Sequence, residues 1–185
     1  MLKEGISIKK QISKGKILEE EFKKSCEEQD IWNERIKDNQ LSYSTNFSTS
    51  QNKYDFHCFD GEVLYGIECK RTHLSYLTVD RKKDDNKVIR LHQINSLAKD
   101  NQYKNILCGF FLDFQTSGNT YLLYIDDFLK WYNCTDKKSI SEKEIQALNP
   151  IIVDKELKRT KYRYNVQSAF EQLKQDKLYH YNDIL

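Results

Sequence analysis

The stretch YDFHCFDGEVLYGIECKRT, residues 54–72, decides the fold of this chain. Two largely apolar runs, 54–59 and 62–70, flank Asp60-Gly61, a dipeptide typical of two-residue β-hairpin turns. The two runs are therefore predicted to be antiparallel neighbours. With the turn centred between residues 60 and 61, Asp55 would lie opposite about residue 66.

The second strand of this hairpin ends in charged residues. Strand side chains alternate between faces, so Glu68 and Lys70 project together, while Cys69 points the other way and leaves its carbonyl between them. Asp55 is then close enough to Glu68 for both carboxylates to share a cation. Two carboxylates and a carbonyl are hard ligands suited to Mg²⁺ or Mn²⁺, and a neighbouring lysine can stabilise an oxyanion. The pattern indicates phosphodiester cleavage; the alternative is a charged strand end that faces solvent.

The sequence before the hairpin predicts one helix and one strand. Leu18, Phe22, Cys26 and Ile36 recur near the helical period, which indicates an amphipathic helix from Ile17 to about Lys37. Residues 41–47, LSYSTNF, alternate as a half-buried strand does. The hairpin is thus expected to be the second and third strands of a sheet.

The sequence after the hairpin alternates between helical and strand patterns. Residues 71–88 are interpreted as a long polar loop, 91–98 as a helix, 105–114 as a buried strand and 120–125 as its partner across a turn at 117–119. Asp126 is predicted to cap a short helix through Tyr132, and Ser141 and Glu144 have capping-box spacing. Asn165 is predicted to open a final helix with four inward residues, Val166, Ala169, Phe170 and Leu173. This order predicts an α/β fold with a central mixed β-sheet flanked by helices.

Composition indicates one soluble domain. The chain has 185 residues, a single proline, no internal repeat and 38% hydrophobic residues, enough for one core. Its longest apolar run, 106–112, is too short to cross a bilayer, and the charged N-terminus does not resemble a signal peptide, so we expect a cytoplasmic protein. The odd set of five cysteines (26, 58, 69, 108, 134) lacks a C-x-x-C pair, which favours buried free thiols over disulfides or zinc.

Positive charge is concentrated in two segments. The net charge of +2 does not by itself indicate a nucleic-acid ligand, but residues 1–16 carry five lysines against one acid, and 81–90 carry five basic residues against two acidic ones. Residues 1–14 are interpreted as a flexible basic arm of the single domain 1–185. Both segments contact nucleic acid in one interpretation and are solvated surface in the other.

Taken in order, these motifs resemble the PD-(D/E)XK nuclease superfamily, and in particular the RecU-type Holliday-junction resolvases of Gram-positive bacteria and their phages. GKILEEEF resembles the family's opening helix, with its acidic residue at Glu19. The block 54–72 keeps the family's interval of thirteen between Asp55 and Glu68, and LHQI places His92 and Gln93 at the start of the next helix. The likeness continues through YLLYIDDFLKWY, KKSISEKEI and YNVQSAFEQL.

The resemblance implies a restriction-endonuclease-like core and assigns roles to its residues. Asp55, Glu68 and the Cys69 carbonyl would hold Mg²⁺ or Mn²⁺, and Gln93 would complete or orient the metal's ligand shell. Lys70 would stabilise the transition state, and Glu19 would stand at the edge of the site. His92 would be a supporting group rather than a ligand.

The resemblance also implies a homodimer that resolves four-way DNA junctions by symmetric nicking, in recombination and repair. Phosphate contacts are expected from nine cations: Lys14, Lys16, Lys53, Arg71, Arg81, Lys82, Lys83, Lys87 and Arg90. Tyr43, Phe47 and Tyr76 are candidates for stacking on unpaired bases.

The chain departs from the family pattern in three places. Lys53 replaces a threonine two positions before the metal aspartate. Ile89 and Arg90 replace parts of an F-H-E-H-Q pattern after a longer loop from Arg71 to Arg90, and the stalk insertion between the first helix and Asp55 is short. Two alternatives stay open: a restriction-like or repair nuclease of a mobile element, and a DNA-binding module without catalysis.

Overall fold

A six-stranded mixed β-sheet forms the centre of the protein, which the computed structural model describes over residues 14–36, 53–82 and 87–179. The elements in chain order are α1 (Lys14–Glu28), β1 (Trp32–Arg35), β2 (Phe56–Phe59), β3 (Leu64–Thr72), β4 (Tyr76–Thr78), α2 (Leu91–Asp100), β5 (Ile106–Phe114), β6 (Thr120–Tyr124), α3 (Ile125–Cys134), β7 (Ser139–Ser141), α4 (Glu142–Gln146), β8 (Ile151–Ile152), β9 (Lys155–Lys158), β10 (Lys161–Tyr164), α5 (Val166–Lys174) and a π-helical segment, Gln175–Tyr179.

The central sheet has the strand order β1-β2-β3-β5-β6-β8. Strands β1, β2 and β3 form an antiparallel meander, α2 connects β3 to its parallel neighbour β5, and β6 and β8 are antiparallel to their neighbours. Two small sheets, β4 with β7 and β9 with β10, lie outside it. The predicted central mixed sheet flanked by helices is confirmed.

Helices cover both faces of the central sheet. On one face, α1 and α5 pack against the sheet, and the rings of Tyr65 and Phe170 stack with centroids 3.9 Å apart. On the other face, α2 and α3 pack against β5, and the ring centroids of Phe110 and Phe128 are 4.9 Å apart. Because β5 is buried on both faces, its sequence ILCGFFLDF is almost continuously apolar.

The N-terminal helix is shorter than predicted. It ends at Glu28 because the amides of Gln29 and Ile31 both donate to the Cys26 carbonyl and Asp30 adopts a positive φ of 55°, which terminates a helix. The chain then forms the edge strand β1, where a helix was predicted. The strand predicted at 41–47, together with most of the expected stalk segment, lies outside the described residues, as do residues 1–13 of the predicted arm; Lys14 already begins α1.

The hairpin of β2 and β3 is confirmed, but its turn and register differ from the prediction. The connection is a four-residue loop in which Asp60 Oδ1 accepts the amides of Glu62 and Val63. Phe59 is therefore opposite Leu64, and Phe56 is opposite Ile67. The ladder ends at Phe56, and the Asp55 amide donates to the Ile67 carbonyl at 3.2 Å, so Asp55 lies beside residues 67–69 rather than opposite residue 66.

The region between β3 and α2 is more ordered than the predicted polar loop. β3 continues to Thr72, β4 pairs with β7, and three apolar side chains are buried: Leu77, Val79 and Ile89. Their hydrophobicity is spread over a charged segment, so no period was visible in the sequence.

Several smaller predictions were tested as well. The Ser141–Glu144 capping box is confirmed, and Asn165 caps α5 with its four predicted residues buried. Asp126 lies in the first turn of α3, whose N-cap is Tyr124. Four of the five free cysteines are buried, whereas Cys134 is exposed. Within the described part of the chain, no helix is long and apolar enough to span a membrane.

Candidate active site at the end of β3

Glu68 is the centre of a buried polar cluster on the face of the sheet that α2 covers. Its side chain is 1% exposed, and its Oε1 lies 2.5 Å from both Lys70 Nζ and Gln93 Nε2. Its second oxygen, Oε2, is buried without a hydrogen-bond partner among the described residues. An unsatisfied carboxylate oxygen is costly in the interior, so this atom marks a place for a ligand.

Asp55 is held by the backbone of β3 at the residues before and after Glu68. Its Oδ2 accepts the Cys69 amide at 2.9 Å, and its own amide donates to the Ile67 carbonyl at 3.2 Å. The N–H and C=O groups of one strand residue point to the same edge, so the Cys69 carbonyl is directed toward the Asp55 side as well. The Asp55 carboxylate and the Cys69 carbonyl thus lie on the same side of β3, next to Glu68, on which the Asp55 charge acts.

The two carboxylates are both shielded from water, and the charge of Asp55 raises the proton affinity of Glu68. Burial raises the pKa of Glu68 to about 8, and the charges of Asp55 and Glu19 add to this, while Lys70 opposes it. Burial also raises the pKa of Asp55, against the Lys70 charge and the Cys69 amide. Paired acids in this state bind either protons or a cation that compensates their charge.

Glu19 stands beside this pair, as predicted. It projects from α1, its Oε2 accepts Arg35 Nε at 2.6 Å, and its charge acts on both Asp55 and Glu68. The structure therefore brings together all five predicted catalytic residues, Glu19, Asp55, Glu68, Lys70 and Gln93. The sequence interpretation missed Arg35 because it assigned this residue to a helix, and the four residues of β1, WNER, are too few to show a strand period.

Gln93 orients Glu68. Its Oε1 accepts the Arg90 amide at 3.0 Å in the capping box of α2, and its Nε2 donates to Glu68. This geometry fits the predicted role of orienting the ligand shell. Completion of the shell by the Gln93 oxygen, which has a second lone pair, stays a prediction. His92 is half-buried near Arg90, Lys70 and Asp80, and burial lowers its pKa.

The donor atoms fit magnesium or manganese that keeps much of its water. Within residues 14–36, 53–82 and 87–179, no group of three or more His, Cys, Asp or Glu residues is arranged to hold a metal. Mg²⁺ commonly needs only one or two carboxylates because it retains several waters. Asp55, the free oxygen of Glu68 and the Cys69 carbonyl meet that lower requirement.

Arg71 was wrongly predicted to contact DNA. Its side chain is 4% exposed and lies on the face opposite Lys70, because neighbouring residues of β3 alternate. Its guanidinium donates to Glu21 Oε2 at 2.5 Å, Asp113 Oδ2 at 2.6 Å and Tyr164 Oη at 2.8 Å. Arg71 is therefore part of a buried ion network behind the site.

Arg81 is also a structural residue. It donates to the carbonyls of Tyr132 and Lys137, at 2.5 and 2.7 Å, and its guanidinium lies 4.0 Å from the centre of the Tyr132 ring. These contacts attach residues 81–82 to α3, so this cation is not free to contact phosphate. The prediction of a DNA contact at Arg81 is not supported by this geometry.

The other predicted DNA-contacting cations differ in exposure. Lys16, Lys82 and Arg90 are exposed, Lys87 is half-buried, and Lys53 is exposed with Asp100 at 3.4 Å. Lys83 lies outside the described residues, as do Tyr43 and Phe47, whereas Tyr76 is exposed. For Lys14 the structure describes only the backbone at the start of α1. Phosphate contact by these cations stays a prediction.

The raised pKa of Glu68 predicts how stability changes with pH. Between about pH 4.5 and about 8 the folded state binds more protons at Glu68 than the unfolded state, so the free energy of unfolding falls as pH rises. Below this range Glu68 is protonated in both states. Urea unfolding of the metal-free protein should therefore show the wild type losing stability relative to Glu68→Gln across this range. Parallel pH profiles of the two proteins would contradict the prediction.

Comparison with known proteins gives one informative match. No family model matches the chain. The chain is 31% identical over 150 residues to the SPbeta prophage-derived uncharacterized protein YotM of Bacillus subtilis (strain 168), an alignment that covers 78% of this chain and 74% of the relative. The similarity therefore extends over most of both proteins rather than over one motif.

Proposed function

The chain belongs to the same family as the SPbeta prophage-derived protein YotM, and for this chain we propose the function of a divalent-metal-dependent, structure-selective DNA endonuclease. Its substrate would be the four-way junction, cut by paired nicks in the cytoplasm during recombination or repair. The observation that carries the proposal is the cluster at the end of β3, where the Cys69 amide holds Asp55 next to Glu68, the Glu68 Oε2 atom is unsatisfied and Lys70 Nζ lies 2.5 Å from Glu68 Oε1.

Each residue of the cluster has a chemical task in this proposal. Asp55, Glu68 and the Cys69 carbonyl would hold Mg²⁺, which when bound polarises the phosphodiester and lowers the pKa of a coordinated water. The ammonium group of Lys70 would neutralise charge that develops on the phosphoryl oxygens. Gln93 keeps Glu68 in place, and Glu19 adds negative charge that favours cation binding.

The finer fold assignment, a restriction-endonuclease-like core, is part of the same proposal. Its support is the order of elements: one helix, a three-stranded meander and a parallel crossover through α2. Together they bring Asp55, Glu68, Lys70 and Gln93 to one end of β3. This arrangement agrees with the order of motifs in the family that the sequence resembles. The proposed homodimer would match the two-fold symmetry of a four-way junction.

A second candidate keeps the chemistry and changes the substrate. A restriction-like or repair nuclease of a mobile element is favoured by one observation, the prophage origin in the name of the relative. In this case linear or damaged duplex DNA would be cut as readily as a branched molecule.

The test is cleavage of labelled DNA substrates with and without magnesium. Paired nicks on a four-way junction, with little action on linear duplex of the same sequence, are expected from the first candidate. Equal cutting of both favours the second. Junction binding without magnesium-dependent cutting, unchanged in Glu68→Ala, contradicts both and indicates a binding module.

A further inference from the structure

Three large apolar side chains project into solvent from the segment that connects β3 to α2, the two elements that carry Glu68 and Gln93. Leu74, Tyr76 and Val88 are 52%, 40% and 41% exposed, and they lie between the end of β3 and the start of α2. We call these three residues the rim strip. Leu74 and Tyr76 are alternate residues of one segment, and Val88 is hydrogen-bonded to Thr78, the next alternate position, so the three form a short apolar row. An exposed apolar row of this kind indicates a contact surface.

The backbone that carries the rim strip is fixed by hydrogen bonds. The Leu74 amide donates to Thr72 Oγ1 at 3.0 Å, and the Ser75 carbonyl accepts the Glu142 amide at 2.8 Å. Tyr76 lies in β4, opposite Ser141 of β7. These bonds hold Leu74 and Tyr76 outward on a rigid support.

Val88 is held in the same way. Its amide donates to Thr78 Oγ1 at 3.1 Å, and the next amide, that of Ile89, donates to the Thr78 carbonyl at 2.9 Å. The alternate residues Leu77, Val79 and Ile89 point inward and fill the core. The rim strip is therefore the solvent-facing side of this segment, and its opposite side packs into the hydrophobic core.

Both ends of this segment connect to the candidate site. Leu74 follows Lys70 by four residues along β3 and its turn, and Val88 precedes Arg90, the N-cap of the helix whose Gln93 binds Glu68. Two exposed cations, Lys82 and Arg90, belong to the same connecting segment. The nearby acid Asp80 is buried, and its two oxygens accept the amides of Lys87 and Leu91.

We propose that the rim strip contacts unstacked bases at the branch point of the DNA, next to the phosphate that is cut. The choice of branched DNA as the ligand rests on the proposed function. Phosphates would meet the two exposed cations, and the flat faces of unpaired bases would meet Tyr76 and Leu74; aromatic and basic side chains in combination are typical of surfaces that bind unpaired nucleotides. In continuous duplex the base faces are hidden by stacking, so the strip would favour branched over linear DNA.

The test measures base unstacking and binding without cleavage. Four-way junctions with 2-aminopurine at the branch point are titrated with protein in EDTA, and affinity for linear duplex is measured in parallel. Junction binding by the wild type should raise the fluorescence. The double variant Leu74→Ser, Tyr76→Ser should lose most of this increase and bind the junction about tenfold more weakly, with duplex affinity unchanged.

The matched control is Tyr103→Ser, which removes an exposed tyrosine from the turn after α2. It should behave like the wild type, and thermal unfolding checks that all variants fold. The inference is overturned if the double variant keeps wild-type fluorescence and affinity, or if the wild type does not bind junctions. It is also overturned if the double variant changes only the oligomeric state, because the rim strip would then contact a second copy of the protein. A wild type that unstacks the branch but never cuts with magnesium supports the strip and contradicts the proposed nuclease.

Discussion

Replacing Glu68 by glutamine is expected to abolish magnesium-dependent cleavage while the protein stays folded. Glutamine keeps the shape of the side chain but removes the charge that would bind the cation together with Asp55. Metal-assisted stabilisation is worth several kcal/mol, so cleavage should slow by about a thousandfold or more. Single-turnover cleavage of the junction, with saturating protein, measures the chemical step directly.

A metal-binding measurement separates a catalytic role of Glu68 from a structural one. Calorimetric titration with Mn²⁺ should show binding by the wild type and strongly weakened binding by Glu68→Gln. The control Glu171→Gln removes an exposed carboxylate from α5 and should change neither cleavage nor Mn²⁺ binding. Normal cleavage by Glu68→Gln would show that the active site lies elsewhere.

The candidate site was largely predictable from the sequence because strand alternation is a local rule. Alternation alone put Glu68 and Lys70 on one face, and the spacing to Asp55 followed from the hairpin. The register was wrong by two residues because the side chain of Asp60 binds two amides and enlarges the turn. This error did not change the choice of site residues, because the Cys69 amide holds the Asp55 carboxylate next to Glu68.

Features that depend on contacts between distant segments were not predictable. The partners of Arg71, Glu21 and Asp113, are 50 and 42 residues away in the chain, so nothing near Arg71 distinguished a buried arginine from an exposed one. Likewise, β1 is too short to show a period, and it forms an edge strand because it pairs with β2. Periodicity tells which residues share a face of an element but not what covers that face.

The ion network around Arg71 connects the elements that carry the site. Besides Glu21 of α1 and Asp113 of β5, it includes Lys155 of β9, whose Nζ lies 2.6 Å from Asp113 Oδ1. Glu21 is two residues from Glu19, and Arg71 is next to Lys70. The network therefore fixes α1 against β3 from the face opposite the candidate site, and its loss would disturb the fold before any chemistry.

Replacing Arg71 by methionine is expected to lower the free energy of unfolding by about 3–5 kcal/mol, because Glu21 and Asp113 would keep buried charges without their shared partner. Methionine retains the apolar stem of arginine, so most of the loss would come from the removed guanidinium. Urea unfolding near neutral pH, followed by tryptophan fluorescence, gives this difference. At temperatures where the variant is still folded, its affinity for junction DNA should equal that of the wild type, because Arg71 does not reach solvent.

The matched control for this prediction is Lys161→Met. Lys161 pairs with Glu20, the neighbour of Glu21 on α1, at 2.9 Å, but both side chains are 50% exposed. Exposed ion pairs contribute little, so this variant should change stability by about 0.5 kcal/mol or less. Equal stability of Arg71→Met and Lys161→Met would contradict the buried ion network. Weaker DNA binding by Arg71→Met at full stability would show that Arg71 contacts phosphate at the surface, as the sequence alone had indicated.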